Sequence, residues 1–365
     1  MKSEARRPLA ERVIDDVGGA FTAGLAYIGD KLGLFVALAA APRSTSAELA
    51  QRTGLDERYV REWLNGMVAS RYVEHDPAGP SYFLDAEQKA AFVDEGGRMF
   101  VAGTFQLALP SLLLAPRLLE LFRHGGGIPF AELSPEIPTA IDRMHRPWFE
   151  HLLVQEWLPA APQTVQSLAG GIAVLDVGCG PGRSTLALAR AYPRSRFLGI
   201  DPHLPSLDRA RAAARQQALD NVEFAPLTIE DLAGGGAGDR AFDLVIAIDC
   251  IHDMARPVEA LRAVRALLAP GGRVFWSEPT GSREPLENRN LYGRLRASLS
   301  PFHCLPVALA DGGAGLGTII GETGARALAA QAGFASFRKL TSQSLTQQFF
   351  LLVNEATEGE AAEGG

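Results

Sequence analysis

The types and spacing of five residues between positions 176 and 201 are those of a ligand-binding turn. They are Asp176, Gly178, Gly180, Gly182 and Asp201. Glycines let a backbone approach a ligand at the carboxyl edge of a sheet, and an acid ending the next strand can accept both hydroxyls of a ribose. A dinucleotide site would need G-x-G-x-x-G facing a pyrophosphate. The G-x-G-x-G spacing and the extra carboxylate of Asp176 favour a cationic ligand with an amino group, such as S-adenosylmethionine.

A second set of polar residues follows the apolar run at 242–249. Asp249, Cys250 and His252 come where that run ends, at the edge of the sheet where ligands bind. We identify His252 as the candidate catalytic base, because a histidine with a pKa of about 6.5 accepts a proton at neutral pH. Asp253 is a candidate to orient its imidazole. A His252 that only packs or caps stays open as the alternative.

Further polar residues are candidates to line an acceptor pocket. They are Tyr27, His145, Trp148, Glu278 and His303, with His124, His151 and Cys304 as weaker candidates that are more often structural. Glu278 closes a strand, where it contacts substrate or caps the next turn. We expect Cys179 to be a small filler and not a nucleophile. No His, Asp or Glu cluster has the spacing of metal ligands, so no metal is expected.

The elements that must position these residues alternate between strand and helix from residue 171 onward. Apolar runs predict strands at 172–177, 196–200, 222–225, 242–249 and 274–278, with helices at 184–192, 204–218 and 257–268. This alternation requires a mostly parallel sheet with right-handed crossovers. Two further strands, at 335–341 and 347–353, are joined by a short link that permits only antiparallel pairing. The expected fold class is therefore α/β.

The front of the chain has a different pattern. One or two helices are expected over residues 8–40, including an apolar helix from Leu25 to Leu38. A helix capped by Ser44 or Thr45 and ended by Gly54 follows, and then a helix over 57–69. Two short strands around the turn at 76–80 complete a winged helix. We expect a winged-helix domain at 1–98, a helical bridge or lid at 99–165, a sheet domain at 166–354 and a disordered tail at 355–365.

Composition excludes several classes. The net charge of -7 does not suit a phosphate backbone, so no nucleic-acid partner is expected. The three cysteines are far apart and form no C-x-x-C pair, which fits a reducing cytoplasm. No segment has the ~20 uninterrupted apolar residues of a membrane span, and we expect no membrane partner and no signal peptide.

Together these segments resemble the class I S-adenosylmethionine-dependent methyltransferases that carry an N-terminal winged-helix domain. The catalytic motifs lie at 176–182, Asp201, 249–254, 268–272 and 278–279, and the front-domain motifs at 27–35, 48–50, 54–55 and 61–64. Residues 157–159 and 293–295 also fit a bacterial group of such proteins that includes mycobacterial members. The similarity covers about residues 10 to 353. Plant and bacterial small-molecule O-methyltransferases share this plan, and in them the front domain forms a dimer.

The resemblance implies an enzyme with a Rossmann-like sheet, S-adenosyl-L-methionine as its cofactor and a homodimer as its assembly. The implied cofactor-binding residues are Asp176, Gly178, Cys179, Gly180, Asp201, Pro202, Thr228, Ile229, Asp249 and Cys250. The family places an acid for the adenine amino group where this chain has Thr228. A threonine oxygen accepts one hydrogen bond without charge, and Glu230 or Asp231 is the candidate substitute.

We expect O-methylation of a small aromatic or polyketide-like acceptor, with N-, S- and C-methylation left open. Two other classes also stay open. One is a non-methylating rearrangement or cyclisation assisted by the positive charge of the cofactor, which would form no S-adenosylhomocysteine. The other is a cofactor-sensing DNA-binding regulator, against which the near-cancelling charges of the helix-turn-helix stretch at 43–72 argue.

Overall fold

The computed structural model describes residues 7–354 except 237 and 239, and these form two compact units. The first contains residues 7–113 and Glu136–Pro147, and the second contains Leu114–Pro135 and residues 148–354. The predicted bridge, 99–165, is thus shared between the two units. The predicted tail at 355–365 lies outside the described residues.

The helices and strands have the following bounds in chain order. The helices are α1 (Leu9–Lys31), α2 (Leu34–Ala39), α3 (Ser46–Thr53), α4 (Glu57–Ala69), α5 (Ala86–Phe92), α6 (Gly103–Leu112), α7 (Ala115–His124), α8 (Glu136–His151), α9 (Pro162–Gly170), α10 (Arg183–Ala191), α11 (Leu204–Gln216), α12 (Ile229–Asp231), α13 (Pro257–Leu267), α14 (Leu291–Leu299), α15 (Cys304–Leu309) and α16 (Gly321–Gln331). The strands are β1 (Glu74–His75), β2 (Tyr82–Phe83), β3 (Ala173–Val177), β4 (Arg196–Ile200), β5 (Val222–Ala225), β6 (Phe242–Ile248), β7 (Leu268–Pro279), β8 (Ser336–Leu340) and β9 (Gln347–Val353).

The first unit contains the expected helix-turn-helix and wing. Helix α3 begins with a capping box, in which Thr45 and Glu48 satisfy each other's backbone N–H groups, and it ends at Gly54 with φ 70°. Asp56 caps α4, whose apolar face buries Trp63 and Met67. Strands β1 and β2 pair antiparallel as the wing. Each strand is only two residues long, shorter than the sequence pattern indicated.

One helix expected in the first unit is interrupted. An apolar helix from Leu25 to Leu38 was expected, but α1 ends at Lys31 and α2 begins after Gly33, which has φ 69°. Only glycine adopts that left-handed conformation readily, so the chain turns there. The exposed apolar surface lies mostly on the earlier turns of α1, where Ile14 and Phe21 are 73% and 74% exposed.

The second unit is built on a seven-stranded sheet with the order β5-β4-β3-β6-β7-β9-β8. Strands β3 to β7 are parallel, and β9 runs antiparallel to both neighbours, β7 and β8. Successive residues of β3 face opposite layers: Val174 packs with Trp157 and Phe349, while Leu175 packs with Val245 and Trp276. Since both faces are covered, the central strands β3 and β6 are mostly apolar, as a parallel sheet requires.

The carboxyl ends of β3, β4, β6 and β7 lie side by side in this order of strands. Pairing of Val177 with Ile200 and of Ile248 with Ser277 aligns those ends. Among the described residues no single helix is long and apolar enough to cross a membrane, and only α6 and α7 counted together have the required length and composition.

Candidate active site

The glycine-rich turn after β3 is held by backbone geometry. Gly178 and Gly180 have φ of 67° and 52°, and the N–H of Gly178 donates to the carbonyl of Ile200 at 2.9 Å. A Cβ atom on Gly178 would lie 2.8 Å from Cβ of Cys250, so glycine is required there for space as well as conformation. A Cβ on Gly180 would meet nothing within 4 Å. The backbone of Gly180 therefore borders open space at the edge of the sheet.

Asp176 is buried inside this turn. Its Oδ2 accepts hydrogen bonds from the hydroxyls of Ser184 and Thr185, both at 2.6 Å. Burial raises the pKa of Asp176 to about 6, although both hydroxyls favour the charged form. A positively charged group placed beside this carboxylate would favour its ionised state.

Asp201 ends the adjoining strand, β4, and is connected to the same turn. Its Oδ2 accepts from the N–H of Gly180 at 2.9 Å, and its Oδ1 accepts from the N–H of His203 at 2.8 Å. Burial raises its pKa, against the two backbone donors. Each carboxylate oxygen has a further lone pair, so Asp201 can accept additional hydrogen bonds from a ligand. Pro202 follows it and is exposed.

Thr228, predicted to lie near the adenine of the cofactor, is a helix cap in this structure. Its hydroxyl donates to Oδ2 of Asp231 at 2.7 Å and accepts from the N–H of Asp231 at 3.1 Å. Ile229, the next residue, is 2% exposed and packs in the sheet core. The side chain of Thr228 is thus engaged within its own turn, and Asp231 is engaged with it.

His252 lies in a short 3-10 turn, Ile251–Asp253, directly after β6. Its Nδ1 is 2.6 Å from Oε2 of Glu278, and the other carboxylate oxygen of Glu278 accepts from Nε1 of Trp276 at 2.7 Å. Glu278 is fully buried and His252 is 3% exposed. The structure therefore brings a carboxylate and an imidazole together that are 26 residues apart in the chain. This carboxylate, and not Asp253, contacts Nδ1.

The second ring nitrogen of His252 faces other groups. Oδ1 of Asp253 is 3.3 Å from Nε2, and Sγ of Cys304 lies in the same cluster. Burial by itself lowers the pKa of His252, but the carboxylates of Asp253 and Glu278 outweigh it, so the pKa lies well above 6.5. His303, next to Cys304, is buried, and burial lowers its pKa.

Asp249 and Cys250 form the start of the same segment. Asp249 has φ 51°, uncommon for a residue other than glycine, and its Oδ2 accepts from Nε2 of Gln347 at 2.9 Å. Burial raises the pKa of Asp249 to about 7. The thiol of Cys250 donates to the carbonyl of Val177 at 3.2 Å. Burial raises the pKa of both Cys250 and Cys179 well above 9.0, so neither thiol is an activated nucleophile.

The remaining pocket candidates are divided between the units. In the first unit, the hydroxyl of Tyr27 donates to Oε2 of Glu136 at 2.8 Å, and His145 is half-buried on α8. In the second unit, Trp148 packs edge-on against Trp157 with 6.1 Å between ring centroids. Trp148 therefore packs against the hydrophobic core on the face of the sheet that contains Val174 and Phe349.

The sequence analysis did not identify several residues that contribute to the site. Phe130 contacts His203 and His303 edge-on, at 5.7 and 6.2 Å between ring centroids, and so lies between the turn after β4 and the segment before α15. No local pattern indicates that contact. Ser184 and Thr185, by contrast, directly follow the glycines, and two hydroxyl residues at the first turn of α10 are a usable signal for partners of Asp176.

Comparisons with known proteins agree with this geometry. Residues 20–94 match the Rv2258c-like winged HTH domain, and residues 168–300 match a family model described as a methyltransferase domain. The ubiquinone biosynthesis O-methyltransferase of Acinetobacter baylyi is 38% identical over 120 residues, which is 32% of this chain and 48% of that protein. The chain spans about half the length of the curated relatives it matches.

Two solved structures show the same fold. Human N-acetylserotonin methyltransferase, in complex with S-adenosylmethionine, has a TM-score of 0.72 at 17% identity, covering 98% of this chain and 100% of that one. An O-methyltransferase family protein of Burkholderia thailandensis has a TM-score of 0.71 at 16% identity, covering 97% and 100%. The predicted fold class, a Rossmann-like methyltransferase sheet with a winged-helix domain in front, is confirmed.

Proposed function

We propose that this chain transfers a methyl group from S-adenosyl-L-methionine to a hydroxyl of a small acceptor. One observation carries the proposal: a methyltransferase domain aligns two acids and a glycine turn with a buried His252–Glu278 pair along one edge of its sheet. The O-methyltransferases among its relatives and structural neighbours support the same reaction class.

The residues at β3 and β4 fit this cofactor. Asp176 suits the positively charged methionine end, because its carboxylate has a pKa of about 6 that a cation would lower. Asp201 keeps lone pairs that can accept hydrogen bonds from the ribose hydroxyls. The open space beside Gly180 leaves room for the cofactor to lie against the backbone of the turn. Gly178, Cys179, Pro202, Ile229, Asp249 and Cys250 would border it, with Thr228 near the adenine. The cofactor supplies a methyl group that its sulfonium already activates.

The task left to the protein is to align the acceptor and remove its proton. Glu278 accepts the Nδ1 hydrogen of His252, so the lone pair on Nε2 is the base. Nε2 of His252 would take the proton of the acceptor hydroxyl while the bound cofactor supplies the methyl group. The acceptor would become a methyl ether, S-adenosylhomocysteine would be released, and the imidazolium of His252 would be held by Glu278. Trp148 and His303, both in the second unit, are proposed to shape the acceptor pocket, while Tyr27 and His145 stay predictions.

We also propose a homodimer formed by the first unit. Its support is the exposed apolar side of α1, where Leu9, Ile14 and Phe21 are each at least 67% exposed. Monomers rarely leave such a continuous patch in water, and a second copy would cover it. We also propose a cytoplasmic location, which the free state of all three cysteines supports.

The test is a panel of small hydroxylated aromatic and polyketide-like compounds, each incubated with the full chain and S-adenosyl-L-methionine. We expect S-adenosylhomocysteine and a methylated product in equal amounts for at least one compound. His252→Ala serves as the control and should lower that turnover by roughly 10²–10⁴-fold, the usual contribution of a positioned base. A product with no added methyl and no S-adenosylhomocysteine would identify a rearrangement or cyclisation instead.

A further inference from the structure

Three metal-binding atom types meet at the carboxyl edge of the sheet. One ring nitrogen of His252, one carboxylate oxygen of Asp253 and Sγ of Cys304 all lie within 4.8 Å of one another, and Nε2 of His252 is 3.3 Å from Oδ1 of Asp253. The first two come from the turn after β6, and the third begins α15. His252 and Cys304 are 3% and 5% exposed, and Asp253 is half-buried. The cluster is thus sheltered from solvent, and Asp253 is its most exposed member.

The thiol of Cys304 interacts with the imidazole of His252, but one carboxylate oxygen beside them lacks a hydrogen bond. The Nδ1 hydrogen of His252 is used by Glu278, so in the neutral ring Nε2 carries a lone pair. That lone pair is 3.3 Å from Oδ1 of Asp253, a buried oxygen without a hydrogen-bond partner among the described residues. Two electron-pair donors in contact repel each other unless a positive charge lies between them. That charge is either a proton on Nε2 or a cation.

The donor set selects the kind of cation. Imidazole nitrogen, carboxylate oxygen and a cysteine sulfur together suit Zn²⁺ and similar divalent ions, and not Mg²⁺ or Ca²⁺, which prefer oxygen. With metal–ligand bonds of about 2.0 to 2.3 Å, ligand atoms of a tetrahedral site lie about 3.3 to 3.7 Å apart. The separation of Nε2 from Oδ1 already has that value, and the sulfur lies within 4.8 Å of the other two donor groups.

The surroundings of His252 fit the same role. A histidine that binds a metal through one nitrogen usually donates its other N–H to a carboxylate, which fixes the tautomer and raises the basicity of the ring. Glu278 does this at 2.6 Å, and the indole of Trp276 holds Glu278 in turn. His303, beside Cys304, adds a buried Nδ1 with no hydrogen-bond partner in the described part of the chain.

We propose that His252, Asp253 and Cys304 bind a zinc-class divalent ion, with a fourth position open to water. The Cys304 thiol gives its proton to solvent as the metal–sulfur bond forms. An ion at this place takes the Nε2 lone pair, so the metal-bound protein cannot use His252 as a base. The metal site would therefore inhibit methyl transfer. That consequence rests on the proposed function, whereas metal binding itself does not.

The probe is Co²⁺, added to the full-length protein freed of metal by a chelator. We expect one Co²⁺ per chain, a thiolate-to-metal absorption band in the near ultraviolet, and loss of the band when Zn²⁺ is added. Cys304→Ser should abolish the band, and Asp253→Asn should weaken binding at least tenfold. Cys179→Ser is the matched control, since Cys179 lies outside the cluster and its band should persist.

The outcomes separate the two proposals. Absence of the band in the natural chain, or its survival in Cys304→Ser, would overturn the metal site and leave a proton between His252 and Asp253. Circular dichroism of each variant checks that loss of the band does not come from unfolding. With an acceptor in hand, Zn²⁺ should inhibit the natural chain at least tenfold, and a chelator should restore its activity. Co²⁺ binding in a chain that methylates nothing would refute only the proposed function.

Discussion

Replacing Glu278 by glutamine tests whether the carboxylate controls the base. Glu278 accepts from His252 at 2.6 Å and from Trp276 at 2.7 Å, and all three side chains are buried. The change to Gln keeps the shape of the side chain and removes its charge. We expect the pKa of His252 to fall, because the imidazolium loses the carboxylate that stabilises it.

The effect of Glu278→Gln on stability follows from the hydrogen bonds that Glu278 accepts from His252 and Trp276. A glutamine amide has one oxygen, so it can accept from Trp276 or from His252 but its NH₂ group must face the other donor. One buried donor is then left unsatisfied, at a cost of about 1–3 kcal/mol in the free energy of unfolding. Turnover should fall, but by less than the roughly 10²–10⁴-fold expected for His252→Ala, since the base is kept.

The assay is the pH dependence of turnover with an accepted substrate. Only the neutral imidazole accepts a proton, so the rate of the natural chain should rise with pH through a midpoint well above 6.5. In Glu278→Gln that rise should move to lower pH, while the midpoint of Asp176→Asn should stay in place. A Glu278→Gln profile with an unmoved midpoint and normal turnover would show that the Glu278 carboxylate only packs and does not control the pKa of His252.

Three further predictions concern the other parts of the chain. Burial raises the pKa of Asp176 from 3.8 to about 6, so the folded chain holds this proton more tightly than the unfolded chain, and the resulting stability is complete below pH 3.8 and lost as pH rises through about 6. The melting temperature without cofactor should therefore fall between those pH values, and it should fall less in Asp176→Asn; an equal fall in both proteins would contradict the prediction. Thr228→Asp keeps an acceptor for the N–H of Asp231 but loses the hydrogen bond to the Asp231 carboxylate. It should still bind S-adenosyl-L-methionine at least as tightly by calorimetry, because the new carboxylate can accept from the adenine amino group; a tenfold loss, about 1.4 kcal/mol, would count against an adenine contact there. Phe21→Glu should convert a dimer into a monomer in sedimentation experiments, since it places a charge on the exposed side of α1, and a full-length natural chain that sediments as a monomer at micromolar concentration would refute the dimer.

Much of the fold could be predicted because its signals are local. The strands at Val222–Ala225 and Gln347–Val353 were predicted to the residue, since short apolar runs bounded by polar residues determine both. The break at Gly33 was missed because glycine occurs inside helices as well as at their ends, and only its φ of 69° shows which case applies. Strand β7 begins six residues before its predicted start, because residues before Val274 add pairs to the sheet without an apolar pattern.

The partners of the site residues depend on contacts that a single stretch of sequence does not contain. Histidine at 252 and glutamate at 278 were each singled out, but their contact follows from the register of β6 on β7, in which Ile248 pairs with Ser277. A shift of one residue would turn Glu278 to the other face of the sheet and leave His252 without its carboxylate. The position of α15 likewise brings Cys304 to Nε2, 52 residues after His252 in the sequence. The residue types of this site can therefore be identified from local sequence. Whether Nε2 of His252 is free, protonated or bound to a metal depends instead on how the sheet and α15 pack together.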